Sequence, residues 1–159
     1  MAVTTATDTN HIRAGALSGL IAGVALAILT GVMGLLPLSA RLVGSTSSGV
    51  GFIVQVVLGV ILGMLFAYLF RNTAVDGRSG AGWGLVYGLI LWFLLALLVM
   101  PLALGMGSQM NAPGISGALR MLWAYLVYGL ILGLLYPYFA RLRRFELARA
   151  WSNEERREM

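Results

Sequence analysis

A chain of 159 residues with 59% hydrophobic and only 11% charged residues, at a mean hydropathy of +0.87, lies far from soluble domains, which are about 45–50% apolar and about 25% charged. Its formal net charge of +5 comes from arginine alone among the basic residues, and these arginines flank apolar runs instead of forming the basic stripe that nucleic acid requires. Cysteine is absent, which excludes disulfides, thiolate metal sites and cysteine nucleophiles.

The first segment, residues 1–13, reads MAVTTATDTNHIR and is expected to stay outside the membrane. The apolar run that follows, Ala14 to Leu36, is longer than the roughly 7–15 residues of a signal h-region and lacks a small-residue cleavage pattern. It is therefore expected to be a retained first span, stopped by Pro37, which cannot continue the hydrogen-bond ladder. A second span is predicted over Val50 to Phe70, ending at Arg71, and residues 72–80 form a short loop. The third span is predicted over Ala81 to Leu104, with Pro101 near its end, and the fourth over Ser116 to Ala140, ending at Arg141. Each run reaches the length of about 20 mainly apolar residues that a membrane helix needs. Barrel strands would alternate in segments of about 10 residues, and these runs do not.

Orientation follows from the arginines. Arg13, Arg71, Arg78, Arg141, Arg143, Arg144, Arg149, Arg156 and Arg157 fall on one side, whereas the other holds Arg41 and Arg120. By the positive-inside rule both termini face the cytoplasm. The expected class is thus an all-α integral membrane protein with four transmembrane helices, multi-pass in the cytoplasmic (bacterial inner) membrane.

One segment is written twice. GVILGMLFAYLFR from Gly59 and GLILGLLYPYFAR from Gly129 share Gly, Ile, Leu, Gly, Leu, Tyr and Arg in register. The helix before each copy carries glycines four apart: Gly15, Gly19 and Gly23, then Gly80, Gly84 and Gly88. The repeated unit is read as a helical hairpin, residues 14–71 and again 81–141, the two copies related by a pseudo-two-fold axis along the membrane normal. Small residues four apart form a flat face on which another backbone packs closely. Gly15, Gly19, Gly23, Gly59, Gly63, Gly84, Gly88, Gly129 and Gly133 are the predicted packing positions. Tyr68 lies about 180° around the helix from Gly59 and, with Arg71, is predicted to anchor the helix at the head groups, as are Tyr138 and Arg141. An alternative use of these pairs is to grip an anionic ligand.

Candidate chemistry is sparse. No Asp, Glu, Lys or His falls near the centre of a span, and such residues are the usual markers of intramembrane function. The only histidine, His11, precedes the first run and is expected to be solvated. The serines lack a base and an orienting acid, so no catalytic residue, no metal site and no enzyme activity is predicted. Gln55 and Thr30 are expected to hydrogen-bond between helices, a ligand contact being the alternative. The loop GMGSQMNAPGISG, with Gln109 and Asn111, followed by Arg120, is the most site-like stretch; the composition also suits a plain turn. Trp123, Tyr125 and Tyr128 suggest an aromatic face for a lipid, carotenoid or quinone, or an interfacial belt with core packing. The tail, residues 142–159, spaces Leu142, Phe145, Ala148 and Trp151 three apart, which predicts an amphipathic continuation of the fourth helix, lying on the cytoplasmic surface or docking on a partner.

The second half, with its glycine-spaced helix, its proline at the outer end, and YGLILG running into RLRR, resembles YagU-like bacterial inner-membrane proteins. That resemblance implies a helical membrane protein and carries over no catalytic residues. The functional expectation is a non-catalytic accessory or scaffolding subunit of a larger membrane complex, respiratory or photosynthetic in type, with membrane protein partners or further copies of itself and no nucleic acid. The alternatives are a small carrier or channel for an uncharged or lipidic solute, and a binder of a hydrophobic cofactor.

Overall fold

In lipid, backbone polar groups must be satisfied within the chain, and this chain meets that demand with helices. The computed structural model describes residues 2–99, 102, 105, 119 and 121–142, and no strand occurs among them. Helix α1 runs Ala2–Val32, followed by the short α2, Leu36–Ala40, and a 3₁₀ turn, Arg41–Val43. Helix α3 spans Ser48–Phe70. Helix α4, Gly77–Leu91, continues as π-helix through Trp92–Val99, and α5 covers Met121–Leu142. Among the described residues four stretches are long and apolar enough to cross a membrane: Asn10–Val32, Ser48–Phe70, Gly77–Leu95 and Met121–Leu142.

Three boundaries differ from the sequence expectation for physical reasons. Helix α1 starts at Ala2 rather than at Ala14 because TTATDTNHIR holds no proline or glycine to stop it. Its 31 residues reach about 46 Å, well beyond a hydrocarbon core of about 30 Å, so its polar first turns project past the membrane. Nor does Pro37 end the helix. Gly34, at φ 71°, does so: its N–H donates to Gly31 O at 2.9 Å and Leu35 N–H donates to Thr30 O at 2.9 Å. This is a Schellman closure, in which a left-handed glycine lets the last carbonyls find donors. Pro37 stands in the first turn of α2, where its missing N–H costs nothing. Gly44, at φ 73°, closes the 3₁₀ turn in the same way, with Ser45 N–H donating to Ala40 O at 3.0 Å.

The third span also starts early. Asp76 caps α4, accepting from Ser79 N–H at 2.7 Å, while Asp76 N–H donates to Ser79 Oγ at 3.2 Å. That reciprocal pair is a capping box. It was legible as Asp-x-x-Ser, and it pulls the helix back to Gly77 from the apolar onset at Ala81. Pro101, residues 116–118 and the tail beyond Leu142 lie outside the described residues.

The long helices meet through glycine. Helices α1 and α3 run antiparallel, so closely that a methyl group added at Gly19 would stand 2.6 Å from Gly59 O and one at Gly15 2.5 Å from Gly63 O. Gly23 faces Gly59 Cα in the same seam. Between α4 and α5, Gly80 faces Gly133, Gly84 faces Gly129, and Gly88 faces Tyr125 and Gly129. Pro137 inside α5 has no N–H to give to Gly133 O, the carbonyl that Gly80 packs against. Glycine Cα–H groups at such a crossing offer weak donors to the opposing carbonyl.

Where α1–α3 meets α4–α5, aromatic rings fill the gap. Phe66 packs on Phe70, Tyr87 and Tyr136 with centroids 4.9, 5.3 and 5.7 Å apart. Tyr128, Leu132 and Tyr136 of α5 are almost fully buried beside Ala22, Leu26 and Ala67.

Gly63→Leu and Gly84→Leu should each lower the Tm in detergent micelles, measured by circular dichroism, since overpacking alone costs about 1–3 kcal/mol and here the obstacle is backbone. Gly82→Leu, at a position with nothing within 4 Å, should leave the Tm unchanged. Asp76 gives a pH test. Hydrogen bonds from Ser79, side chain before backbone, hold its carboxyl below the ordinary 3.8. Its contribution is therefore present above that value and lost as pH falls through the lowered one. Asp76→Ala should fray the start of α4 at neutral pH, and its difference from the parent should vanish in strong acid.

Candidate functional site

The polar atoms inside the bundle are few, and most have a partner. Ser18 Oγ donates to Ala14 O at 2.8 Å and Thr30 Oγ1 to Leu26 O at 2.8 Å. Thr30 thus bonds within its own helix rather than between helices, because a threonine hydroxyl reaches the carbonyl one turn back without any neighbour. Two tyrosines of the second helical pair reach across instead. Tyr87 OH donates to Leu62 O at 2.9 Å, and Tyr128 OH to Gly59 O at 2.8 Å. Both acceptors are backbone carbonyls in the middle of α3.

Gln55 is only 7% exposed. Its Oε1 accepts a 2.8 Å hydrogen bond from Ser39 Oγ, a bond between elements made possible by α2 folding back over the N-terminal half of α3. Gly51 allows that approach, since the space a Cβ would take is filled by Leu36 backbone. Beside this pair lies a cavity of about 110 Å³, lined by Leu26, Gln55, Leu62, Leu95, Val99 and Tyr125 among others. Its walls come from α1, α3, the π-helical segment and α5. Among the described residues no buried side-chain nitrogen or oxygen is left without a hydrogen-bond partner.

The other end of the bundle gathers the basic groups. His11, Arg71, Val75, Tyr136 and Arg141 line a cavity of about 90 Å³. His11 Nδ1 and Tyr136 OH share a 2.9 Å hydrogen bond, and Arg141 donates to Val75 O at 3.0 Å. His11 is therefore half-buried against α5 and not a solvated residue of a loose segment. The cause is the early start of α1, which carries His11 on a helix face beside Tyr136. Tyr68 is 66% exposed and points outward on the face opposite Gly59 and Gly63; Tyr138 is exposed likewise, and Arg71 lies near Tyr68.

The aromatic residues of α5 do not form one face. Trp123 is 72% exposed, whereas Tyr128 is fully buried and Tyr125 nearly so. At 100° per residue, positions 125 and 128 share a side that 123 does not, so this split was readable from spacing. Gln109, Asn111 and Arg120, with the loop that holds them, lie outside the described residues. Among the described residues no three His, Cys, Asp or Glu side chains come together. What sequence reasoning missed is the pair of cross-bundle tyrosines: nothing local marks a buried tyrosine as the donor to a distant backbone carbonyl.

Tyr128→Phe should destabilise the bundle by about 0.6–1.7 kcal/mol, the range of single intramembrane hydrogen bonds, as measured by unfolding in mixed micelles, while Tyr138→Phe, at an exposed position near the end of α5, should not.

In comparisons with protein-family models, characterised proteins and solved structures, no family model, no characterised protein and no solved structure matches this chain.

Proposed function

We propose that this chain is a non-catalytic accessory or scaffolding subunit of a larger complex in the cytoplasmic membrane of a bacterium, respiratory or photosynthetic in type. It is built from two tandem copies of one helical hairpin with both termini in the cytoplasm. The observation that carries the reading is the sealing of the bundle: one glycine seam locks each pair of helices, and Tyr87 and Tyr128 bond one pair to the other.

The duplication is supported by matching contacts. Gly15 faces Gly63 as Gly80 faces Gly133, and Gly19 faces Gly59 as Gly84 faces Gly129. Phe66 and Tyr136 hold the same place in the repeated segment and pack edge to face, as residues beside a pseudo-two-fold axis do. The orientation is supported by Arg71 and Arg141 lining one cavity at one end of the bundle, with Arg41 in the turn at the other.

A carrier exposes its site alternately by rocking one repeat against the other. Here that motion breaks both tyrosine bonds and parts the Phe66 cluster, which weighs for a rigid scaffold. The lateral surface suits partner helices. The third span is buried over only 28% of its most apolar stretch, against 44% for the first and fourth, and Val86, Leu89, Ile90, Phe93 and Leu94 face outward from it. These side chains meet lipid or a neighbouring helix.

Tagged at its carboxyl terminus, solubilised gently and sized, the protein should elute in a particle far larger than its own mass, with stoichiometric partners identified by mass spectrometry. A homogeneous particle of this chain alone overturns the subunit reading. The absence of native cysteine allows a clean topology test. Ser47→Cys should react with a membrane-impermeant maleimide in intact cells, and Asn72→Cys only after lysis.

A further inference from the structure

The two arginines of the repeated segment end in one place. Arg71 closes GVILGMLFAYLFR and Arg141 closes GLILGLLYPYFAR, so each stands at the carboxyl end of its helix, α3 or α5. An anchor that only snorkels follows its own helix outward to the nearest head groups. Tyr138 does so and is exposed, whereas Arg71 and Arg141 line a single cleft of about 90 Å³. Among the described residues no carboxylate lines that cleft. Asp76 is near enough to feel Arg141, yet its carboxyl is governed first by the Ser79 hydrogen bonds. Two like charges that share a cleft repel, and beside the hydrocarbon core they are screened less than in bulk water. An anion between them turns that repulsion into attraction.

We propose that this cleft binds the phosphate group of an anionic ligand at head-group level, with Arg71 and Arg141 as its charged donors. This holds whether or not the chain is a subunit of a larger complex. Donor chemistry argues for it first, since a guanidinium fork matches phosphate oxygens two at a time. Arg141 carries five N–H donors, and its 3.0 Å bond to Val75 O takes one of them while fixing where the group lies. Preorganisation argues second. His11 and Tyr136 also line the cleft and share a 2.9 Å hydrogen bond, so α1 and α5 are tied together at the site. Shape is the third argument. Arg71, Val75 and Arg141 are all exposed, so the cleft is open, and a ligand inserts its phosphate oxygens while the rest stays outside. A second cleft of about 110 Å³ shares His11 and Arg71 and leads on to Ile12 and Tyr68, both exposed on the flank of the bundle. That path suits the glycerol and first acyl carbons of a phospholipid; a free phosphate offers the same oxygens without using it.

The test uses the full chain in a neutral detergent with dioctanoyl phosphatidylglycerol and dioctanoylglycerol, which share both acyl chains and differ in the phosphoglycerol head. The phospholipid should raise the Tm and bind saturably at one per chain, read by native mass spectrometry, and dioctanoylglycerol should do neither. Inorganic phosphate, compared with chloride at equal ionic strength, separates the two sources. A Tm raised as far by phosphate alone assigns the site to a free phosphate, and a Tm raised by the phospholipid alone assigns it to lipid; both support a phosphate site. Arg71→Gln and Arg141→Gln should each weaken binding by about tenfold or more, the worth of one charged hydrogen bond. Arg78→Gln removes the same charge at an exposed position that does not line the cleft, and should leave affinity unchanged. If Arg141→Gln does not fold for want of the Val75 bond, Arg71→Gln and the probe comparison on the parent chain still decide. Equal binding of dioctanoylglycerol, an Arg78→Gln loss as large as that of the cleft variants, or no saturable binding of either phosphate probe overturns the proposal.

Discussion

Everything in this fold depends on how closely the backbones approach. Lipid tails are as apolar as leucine, so burying leucine between membrane helices gains little. Association must come from contact, and contact is densest where no side chain intervenes. Along α1 and α3, glycines opposite glycines bring carbonyl oxygens against Cα atoms. The same arrangement recurs between α4 and α5. Each seam leaves no room for a methyl group, and so each also dictates register: a shift by one residue sets a bulky side chain against backbone.

Close approach has a second consequence, which concerns polar atoms. Helices that touch at the backbone bring their carbonyls within reach of side chains on a third helix. Tyr128 and Tyr87 use this opportunity, donating to Gly59 O and Leu62 O on α3. Each tyrosine buries its ring as packing and its hydroxyl as a bond, which suits a residue with an apolar body and one polar tip. These two bonds and the Phe66 cluster join the two helical pairs where glycine is not in contact.

The two ends of the bundle differ in kind. At the arginine-rich end, His11, Arg71 and Arg141 gather around Tyr136 and the loop carbonyl of Val75, which ties the start of α1 and the end of α5 to the segment between the pairs. At the other end, α2 and its 3₁₀ turn fold back over α3 between two left-handed glycines. A rigid body with a charged base and an apolar flank is what a subunit embedded among other helices requires, and it is the physical ground for that reading of the chain.

Much of this was legible without coordinates. Long apolar runs with arginine at their ends dictate membrane-length helices, because no other local structure satisfies a backbone in lipid. Glycine at every fourth position marks the contact faces, since only those faces stay smooth along a helix. Tyr68 and Trp123 on outward faces follow from the helical period alone. The helix ends were harder. Asp76 with Ser79, and Gly34, are local signals that outrank the more visible apolar onset and Pro37, as hydrogen bonds at a terminus decide where a helix stops. The tertiary structure alone decided what is long-range: that His11 meets Tyr136, that Ser39 takes the oxygen of Gln55, and that Tyr125 and Gln55 share one cavity. Sequence spacing describes each helix about its own axis. Which faces of different helices share a space depends on crossing angle and register, and those emerge only when all the seams close together.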